Sequence, residues 1–231
     1  MPPRRPTISQ TKKPQQARST ELVTAILEAA VQVLAREGIK RFTMARVAER
    51  TGASIGSLYQ YFPNKAAILF RLQSDEWRQT TEMLRTVLQD RERSPLERLR
   101  TLVRAFIRSE CEEAEVRVAL DSVAPLYRDA PEAREARAEG DGIVEAFMVE
   151  ALPGVPQATR DTATDLVMST MAALGKEFSE SPRTAAEIDA YADAMADMFC
   201  AYLETLGRKG GWLAGGGEPS RVSPRERVWS R

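Results

Sequence analysis

The stretch of chain from residue 42 to residue 65 strongly constrains the fold, because it encodes two short helices with a tight turn between them. Thr43 can cap the first helix, whose apolar residues recur at the spacing of one buried face: Met44, Val47 and Ala48. Gly52 tolerates the left-handed backbone that ends many helices, and the Ser54 hydroxyl can cap the helix that follows. This order of elements predicts a helix-turn-helix, at about residues 43–62.

The second helix of this pair has an apolar side and a polar side. The apolar side contains Ile55, Leu58, Tyr59 and Phe62. The other side contains small or hydrogen-bonding residues: Gly56, Ser57, Gln60 and Tyr61. Because the second helix of a helix-turn-helix is the one that enters the major groove of DNA, we expect the polar side to face outward.

The same stretch resembles the DNA-binding domain of the tetracycline-repressor (TetR) family. The resemblance rests on Ala45-x-Val47-Ala48, Thr51-Gly52-Ala53-Ser54, Gly56-Ser57-Leu58-Tyr59-x-Tyr61-Phe62 and Lys65. It extends over residues 20–70 and implies a transcriptional regulator that binds double-stranded DNA. The alternative is a helical hairpin with a purely structural role, since many buried helix pairs share this pattern.

The resemblance implies contacts with DNA at ten positions. Hydrogen bonds to base edges are expected from Ser54, Ser57 and Gln60, a thymine-methyl contact from Ile55 and close approach at Gly56. Phosphate contacts are expected from Thr43, Tyr59, Tyr61 and Lys65. Arg46 is expected in either class, and Tyr59 can also lie half in the core.

Charge supports this assignment, although the formal net charge of the chain is zero. Residues 1–70 contain 11 Lys and Arg against 4 Asp and Glu, which gives +7. Residues 71–207 contain 16 against 27, which gives −11, and residues 208–231 carry +4. A basic segment beside an acidic one concentrates the attraction for phosphates at one end of the chain.

Several functional classes are disfavoured by what the sequence lacks. There is no histidine, the commonest general base and metal ligand, so we expect neither an enzyme nor a metal site. No glycine-rich phosphate loop occurs, and we expect no cofactor. The two cysteines, Cys111 and Cys200, form no CxxC pair and are either buried apolar residues or a redox sensor. No long apolar run or secretion signal is present, so a cytoplasmic protein that does not bind membranes is expected.

The helical periodicity predicts an all-α fold with an N-terminal three-helix DNA-binding domain and a C-terminal helical ligand-binding and dimerisation domain. We assign residues 1–18 to a basic disordered arm, 19–80 to the DNA-binding domain, 81–207 to the C-terminal domain and 208–231 to a flexible tail. The first predicted helix starts at Ser19 or Thr20 and stops at Gly38. After the helix-turn-helix, one helix is predicted from Asn64 to Leu88, and another from a capping box at Ser94 to Glu112. Further helices are predicted over 114–128, 131–151, 156–180 and 184–207.

By the resemblance, the C-terminal domain mediates dimerisation and senses a small-molecule ligand whose identity the sequence does not give. The apolar stripes expected in a homodimer interface include Leu166, Met171, Leu174, Phe178, Met195, Phe199 and Tyr202. The residues expected to line an apolar ligand cavity are Phe106, Leu120, Tyr127, Phe147, Met148, Met168 and Met171. For both sets the alternative is ordinary core packing.

Together these observations predict a homodimeric repressor that binds a palindromic operator and is released by its ligand. Two recognition helices one DNA turn apart, roughly 34 Å, would enter successive major grooves. A ligand releases such a protein only by binding the DNA-incompetent arrangement more tightly. The competing hypothesis is a helical sensor or protein-interaction module that acts through a partner without specific DNA binding.

Overall fold

The computed structural model describes residues 17–121, 127 and 129–213, and within these ranges the regular elements are helices without any strand. The all-α prediction is therefore confirmed for the described chain. The helices are α1 (Ala17–Arg41), α2 (Met44–Thr51), α3 (Ile55–Tyr61), α4 (Lys65–Leu88), α5 (Pro95–Glu112), α6 (Ala114–Asp121), α7 (Pro131–Ala151), α8 (Gln157–Ser179) and α9 (Ala185–Leu213). None of these described helices is long and apolar enough to span a bilayer.

The chain divides into two compact units. The first, here called the head, comprises the described parts of Met1–Trp77 and Glu115–Ala133. The second, here called the body, comprises Arg78–Ala114 and the described chain from Arg134 onward. The head thus includes a segment that the sequence placed inside 81–207.

Tyr127 explains why this segment packs with the head. Its hydroxyl donates a hydrogen bond to the carbonyl oxygen of Ala66 at 3.0 Å, and its ring lies edge-on to Phe70 with 5.2 Å between centroids. Burial raises the pKa of Tyr127 to about 12, so the ring stays neutral at physiological pH. The hydrogen bond links residues 61 positions apart, which a local pattern does not reveal.

The core of the head is built from apolar faces of α1 to α4. Helix α1 contributes the face that its periodicity predicts, and its path breaks at Gly38, whose φ of 70° favours glycine. Fully or nearly fully buried core residues include Ile26, Ala30, Val33, Leu34, Phe42, Val47, Leu58, Phe62 and Ile68. The helix-turn-helix is therefore held by a continuous apolar cluster within the head.

In the body, α5 packs against both α8 and α9. Three arginines of α5, spaced four residues apart, form ion pairs with three aspartates of α9: Arg100 with Asp197, Arg104 with Asp193 and Arg108 with Asp189. All six side chains are exposed, so each pair contributes little to stability on its own. Their regular spacing matches the antiparallel register of the two helices.

A buried arginine lies in the body between α4, α5 and α7. Arg98 is 1% exposed, donates a hydrogen bond to the carbonyl oxygen of Leu88 at 2.6 Å and pairs with the carboxylate of Glu150. Its guanidinium also lies 5.6 Å from the centre of the Phe147 ring. Arg98 thereby satisfies a carbonyl at the C-terminal end of α4, which no helical amide can reach.

The ends of α6 and α9 bear on the sequence predictions. The described part of α6 is Ala114–Asp121, and residues 122–126 and 128 of the predicted helix lie outside the described residues. Helix α9 runs to Leu213 and includes Gly207, Gly210 and Gly211, so the predicted tail begins later than residue 208, because glycine weakens a helix without forbidding it. The remaining tail and residues 1–16 of the predicted arm lie outside the described residues.

Candidate DNA-binding interface

Helix α2 begins and ends where its sequence indicates. The Thr43 hydroxyl oxygen accepts a hydrogen bond from the amide of Arg46 at 3.3 Å and so caps the helix. At the other end, Gly52 adopts a left-handed conformation with φ 71°, and its amide donates to the carbonyls of Ala48 and Glu49. The turn to the next helix follows directly from this glycine.

Helix α3 begins at a serine cap. The Ser54 hydroxyl oxygen accepts a hydrogen bond from the amide of Ser57 at 3.1 Å. The two hydroxyl oxygens lie 2.8 Å apart, and either can donate to the other. Both side chains were predicted to read base edges, and the structure couples them to each other.

The faces of α3 differ in part from the prediction. Leu58 and Phe62 are buried as expected, whereas Ile55 and Tyr59 are 46% and 47% exposed. Tyr61 was predicted to face outward and contact phosphate, and this prediction of its orientation is wrong, since the residue is only 6% exposed. The reason is helical geometry: residues 58, 61 and 62 are spaced by three and four positions and therefore share one face.

The exposed face of α3 consequently carries a different set of side chains from the one predicted. Gly56 and Gln60 are exposed, and Ser57 is half-buried beside them. Ile55 and Tyr59 join this face and add an apolar and an aromatic group. The result is a mixed surface that can offer hydrogen bonds and contact a methyl group.

The start of α4 is a candidate anion site next to the motif. Asn64 caps the helix by accepting a hydrogen bond from the amide of Ala67 at 3.0 Å, and Lys65, the first residue of the helix, is exposed. A helix N-terminus carries a partial positive charge and free amides, which favour phosphate. Lys65 adds a full positive charge at that end.

Sequence reasoning missed two polar residues of α1 that contact the arginines of α2. Glu37 forms an ion pair with Arg46, and the side-chain oxygen of Gln32 accepts a hydrogen bond from Nε of Arg50 at 2.5 Å. The partners lie 9 and 18 positions apart in the chain. Only the crossing of α1 and α2 brings them together, so no local spacing could have indicated them.

The residues predicted to line one ligand cavity fall in two different cores. Leu120 and Tyr127 belong to the apolar cluster of the head. The other five belong to the cluster of the body: Phe106, Phe147, Met148, Met168 and Met171. The seven residues therefore fall in two clusters, because Leu120 and Tyr127 pack within the head.

The residues predicted for a dimer interface are also divided. Met171, Met195 and Phe199 are buried in the core of the body itself, which agrees with the alternative of ordinary core packing. Helix α5 covers this side of α8 and α9. Leu166 is 51% exposed, and the remaining members are half-buried: Leu174, Phe178 and Tyr202.

Other chemistry has little support in the described residues. No group of acidic or cysteine side chains there is arranged to hold a metal ion. Burial raises the pKa of the Cys111 and Cys200 thiols, which lowers their thiolate fraction and hence their reactivity. Reactive-thiol chemistry is thereby disfavoured.

Comparison with known proteins relates both parts of the chain to one family. The family described as "Bacterial regulatory proteins, tetR family" matches residues 26–72, and "Tetracyclin repressor-like, C-terminal domain" matches residues 94–206. Together the two matches cover more than half of the chain. No curated protein matches it in sequence.

Solved structures share the fold at low sequence identity. The TetR family regulator PfmR from Thermus thermophilus has a TM-score of 0.62 and 20% identity, covering 76% of this chain and 97% of its own. The fatty acid degradation regulator FadR from Bacillus halodurans has a TM-score of 0.56 and 18% identity, with 82% and 96% covered. FadR from Bacillus subtilis, in complex with stearoyl-CoA, has a TM-score of 0.57 and 16% identity, with 77% and 97% covered.

Proposed function

Because the chain belongs to the tetR family of bacterial regulatory proteins and is a ligand-responsive, DNA-binding transcriptional regulator, we propose that it represses transcription as a homodimer on a palindromic operator. The small-molecule ligand releases it from this operator. Such a protein acts where the DNA is, so its proposed location is the cytoplasm. Family membership supports a role as a regulator rather than as an enzyme.

The observation that carries the proposal is the outward face of α3. A seven-residue helix, capped at Ser54 and anchored by Leu58, exposes Gln60 and Gly56 next to Ile55. A Gln side chain can pair with adenine at its N6 and N7 atoms, and a side-chain methyl group can contact the methyl group of thymine. These residues would therefore specify the sequence of the operator.

Phosphate contacts would come from the edges of the same surface. Thr43 and Lys65 are exposed at the starts of α2 and α4, and Tyr59 is exposed on α3. Such contacts fix the orientation of the protein on the duplex without reading its sequence. Tyr61 is left out of this set because its ring packs in the core of the head.

The dimer is proposed to form through the exposed parts of α8 and α9. Leu166 on α8 and Met198 on α9 are large apolar side chains left about half exposed in the single chain. A twofold protein dimer fits the twofold symmetry of a palindromic operator. The interface would then involve fewer of the residues predicted from the sequence, because Met171, Met195 and Phe199 are already buried within the single chain.

The ligand is proposed to bind in the apolar core of the body. Phe106 and Met168 are half-buried there, beside the buried Phe147, Met148 and Met171. Methionine side chains are flexible and adapt to irregular ligands. The stearoyl-CoA bound by Bacillus subtilis FadR, which has a similar fold, makes an apolar chain a suitable first class of ligand to test.

The first experiment is selection of bound duplexes from a random DNA pool at two salt concentrations. An enriched inverted repeat is the expected result and would provide the probe for a ligand screen. Salt-sensitive binding without a motif would contradict the operator, since it reflects phosphate contacts alone. A complete lack of binding would favour a module that acts through a protein partner.

Two substitutions test the assignment of roles within the head. Gln60→Ala is expected to relax base preference at one position of each half-site, at a cost of about 1–3 kcal/mol against the preferred base. Lys65→Ala is expected to weaken binding to all sequences and to reduce the salt slope by about 0.9 for each protomer. Lys209→Ala is the matched control, because it removes the same charge from an exposed position on α9 of the body. It should change neither the affinity for DNA nor the salt slope.

A further inference from the structure

The ion pair between α1 and α2 in the head suggests a restraint on DNA binding. We propose that Glu37 of α1 holds the guanidinium of Arg46 away from DNA phosphates and thereby lowers the affinity of the head for duplex DNA of any sequence. The inference rests on the proposed function, because it concerns the same surface.

Glu37 contacts two arginines through one carboxylate oxygen. Its Oε2 atom pairs with Nη1 of Arg46 and lies 3.7 Å from Nε of Arg41. This oxygen is shielded from water, whereas both arginines keep part of their side chains exposed. Shielding strengthens the pair, because the charges are screened less than in open solution.

The backbone places Glu37 where it can serve both partners. It is the last residue of α1 before the break at Gly38, and Arg41 follows on the other side of that break. Arg46 lies in the first turn of α2, where its amide donates to the Thr43 cap. Arg46 is therefore next to a helix start, which favours phosphate.

A carboxylate and a phosphate compete for the same guanidinium. Both accept charge-assisted hydrogen bonds from arginine in the same fork geometry. To bind a DNA phosphate, Arg46 must leave Glu37. If Arg46 stays paired with Glu37, one phosphate fewer is neutralised and DNA binding releases one counterion fewer. Glu37 thus acts as a substitute for phosphate within the protein, and its removal is expected to make one more positive charge available in each head.

The test is a titration of Glu37→Gln against wild type over a series of NaCl concentrations. The probes are the duplex obtained from selection and a scrambled duplex of equal length. Glu37→Gln is expected to bind both duplexes about fivefold to tenfold more tightly at low salt. Its salt slope is expected to be steeper by about 0.9 for each protomer.

Glu49→Gln is the matched control. Glu49 is an exposed acid of α2, so its substitution adds the same net charge to the head while leaving the pair between Glu37 and Arg46 in place. If Glu49→Gln changes affinity and slope as much as Glu37→Gln does, general electrostatics explains the effect and the proposal is wrong. Thermal unfolding of each variant checks that the head remains folded.

A double-mutant cycle identifies the arginine that Glu37 restrains. The gain from Glu37→Gln should disappear in an Arg46→Ala background and persist in an Arg41→Ala background. A gain that persists without Arg46 would overturn the assignment, and so would weaker or unchanged binding of Glu37→Gln. Wild type that binds no duplex would instead refute the proposed function itself.

Discussion

The head and the body differ in the range of the interactions that shape them. In the helix-turn-helix of the head, Thr43, Ser54 and Asn64 each cap a helix by a hydrogen bond to an amide three residues away. In the body, the pair between Arg98 and Glu150 joins positions 52 apart, and other pairs join positions up to 97 apart. A short sequence therefore encodes the candidate DNA-binding surface, while the packing of the body, where we propose that the ligand binds, depends on contacts between distant positions.

This difference has a functional meaning. The DNA-reading helix must keep one geometry; local caps and a glycine turn set where the short helices begin and end, and the apolar core of the head holds them together. The body must respond to a ligand, and long-range pairs between separate helices are where a bound molecule can change the packing. The following substitutions test whether the two regions respond as differently as this contrast requires.

The largest effect is expected from Arg98→Ala in the body. The change removes a buried guanidinium, its hydrogen bond to Leu88 and its contact with Phe147, and it leaves a cavity. We expect the free energy of unfolding to fall by about 3 kcal/mol, measured by denaturant titration. Arg104→Ala, which breaks the exposed pair with Asp193, should cost at most about 1 kcal/mol. If both variants lost the same free energy of unfolding, the burial of Arg98 would not be what makes its pair stabilising, and the prediction would be wrong.

Gly175→Ala tests the close approach of α5 and α8. A Cβ at this position would lie 2.9 Å from Cε1 of Phe106 and 3.3 Å from side-chain atoms of Ile107 and Glu110. We expect a loss of about 2 kcal/mol in thermal unfolding, because a packed core must shift to accept the methyl group.

The control for this substitution is Gly142→Ala in α7. A Cβ there meets nothing within 4 Å, and alanine favours helix over glycine, so a gain of up to about 1 kcal/mol is expected. If Gly175→Ala also stabilised the protein, the close packing of α5 on α8 would be refuted.

In the head, Thr43→Ala removes the cap of α2. We expect a loss of about 1 kcal/mol, visible as faster hydrogen exchange of the α2 amides. Thr43→Ser retains the hydroxyl oxygen that accepts from Arg46 and should exchange at the wild-type rate. If amides of the body also exchanged faster in Thr43→Ala, the cap would act beyond α2, and the prediction of a local effect would be wrong.

The smallest effect on stability is expected from lowering the pH, which protonates Glu97 at the start of α5. Hydrogen bonds from the hydroxyl and the amide of Ser94 hold the pKa of Glu97 below its ordinary value of 4.5. A folded pKa below the unfolded one means that this stabilisation is present above pH 4.5 and is lost as pH falls through the folded pKa. The protection of the amides at the start of α5, taken relative to the intrinsic exchange rate at each pH, should therefore fall in acid. Glu97→Gln should remove that pH dependence, and its persistence would assign the effect to another group.

Much of the fold could be predicted from the sequence because its signals are local. The capping box at Ser94, the glycine at position 52 and the ends of α4, α5 and α7 appear where the pattern indicated. The grouping of Tyr127 with the head could not be predicted, because it depends on a hydrogen bond to Ala66. Regular helices are encoded by neighbouring residues, whereas the choice of packing partner is not.

The candidate site shows the same limit on a smaller scale. The apolar and polar pattern grouped Tyr59 with the apolar side of α3, half in the core, and placed Tyr61 on the polar side, whereas the structure exposes Tyr59 and buries Tyr61. Both side chains are amphipathic, so composition does not decide between them. Counting three and four residues from Leu58 along the helix would have placed Tyr61 inside. The pairing of Glu37 with Arg46 had no such signal.

The two hydroxyl groups of Ser54 and Ser57 set how much information this part of the surface can read. Together they hold two hydrogens, and the bond between them uses one. The other hydrogen can point outward from either oxygen, so the pair offers one donor that can change position. Guanine, adenine and thymine all present acceptors in the major groove. We therefore expect the operator positions opposite these serines to tolerate several bases, and mutations there to persist in promoters that this regulator controls.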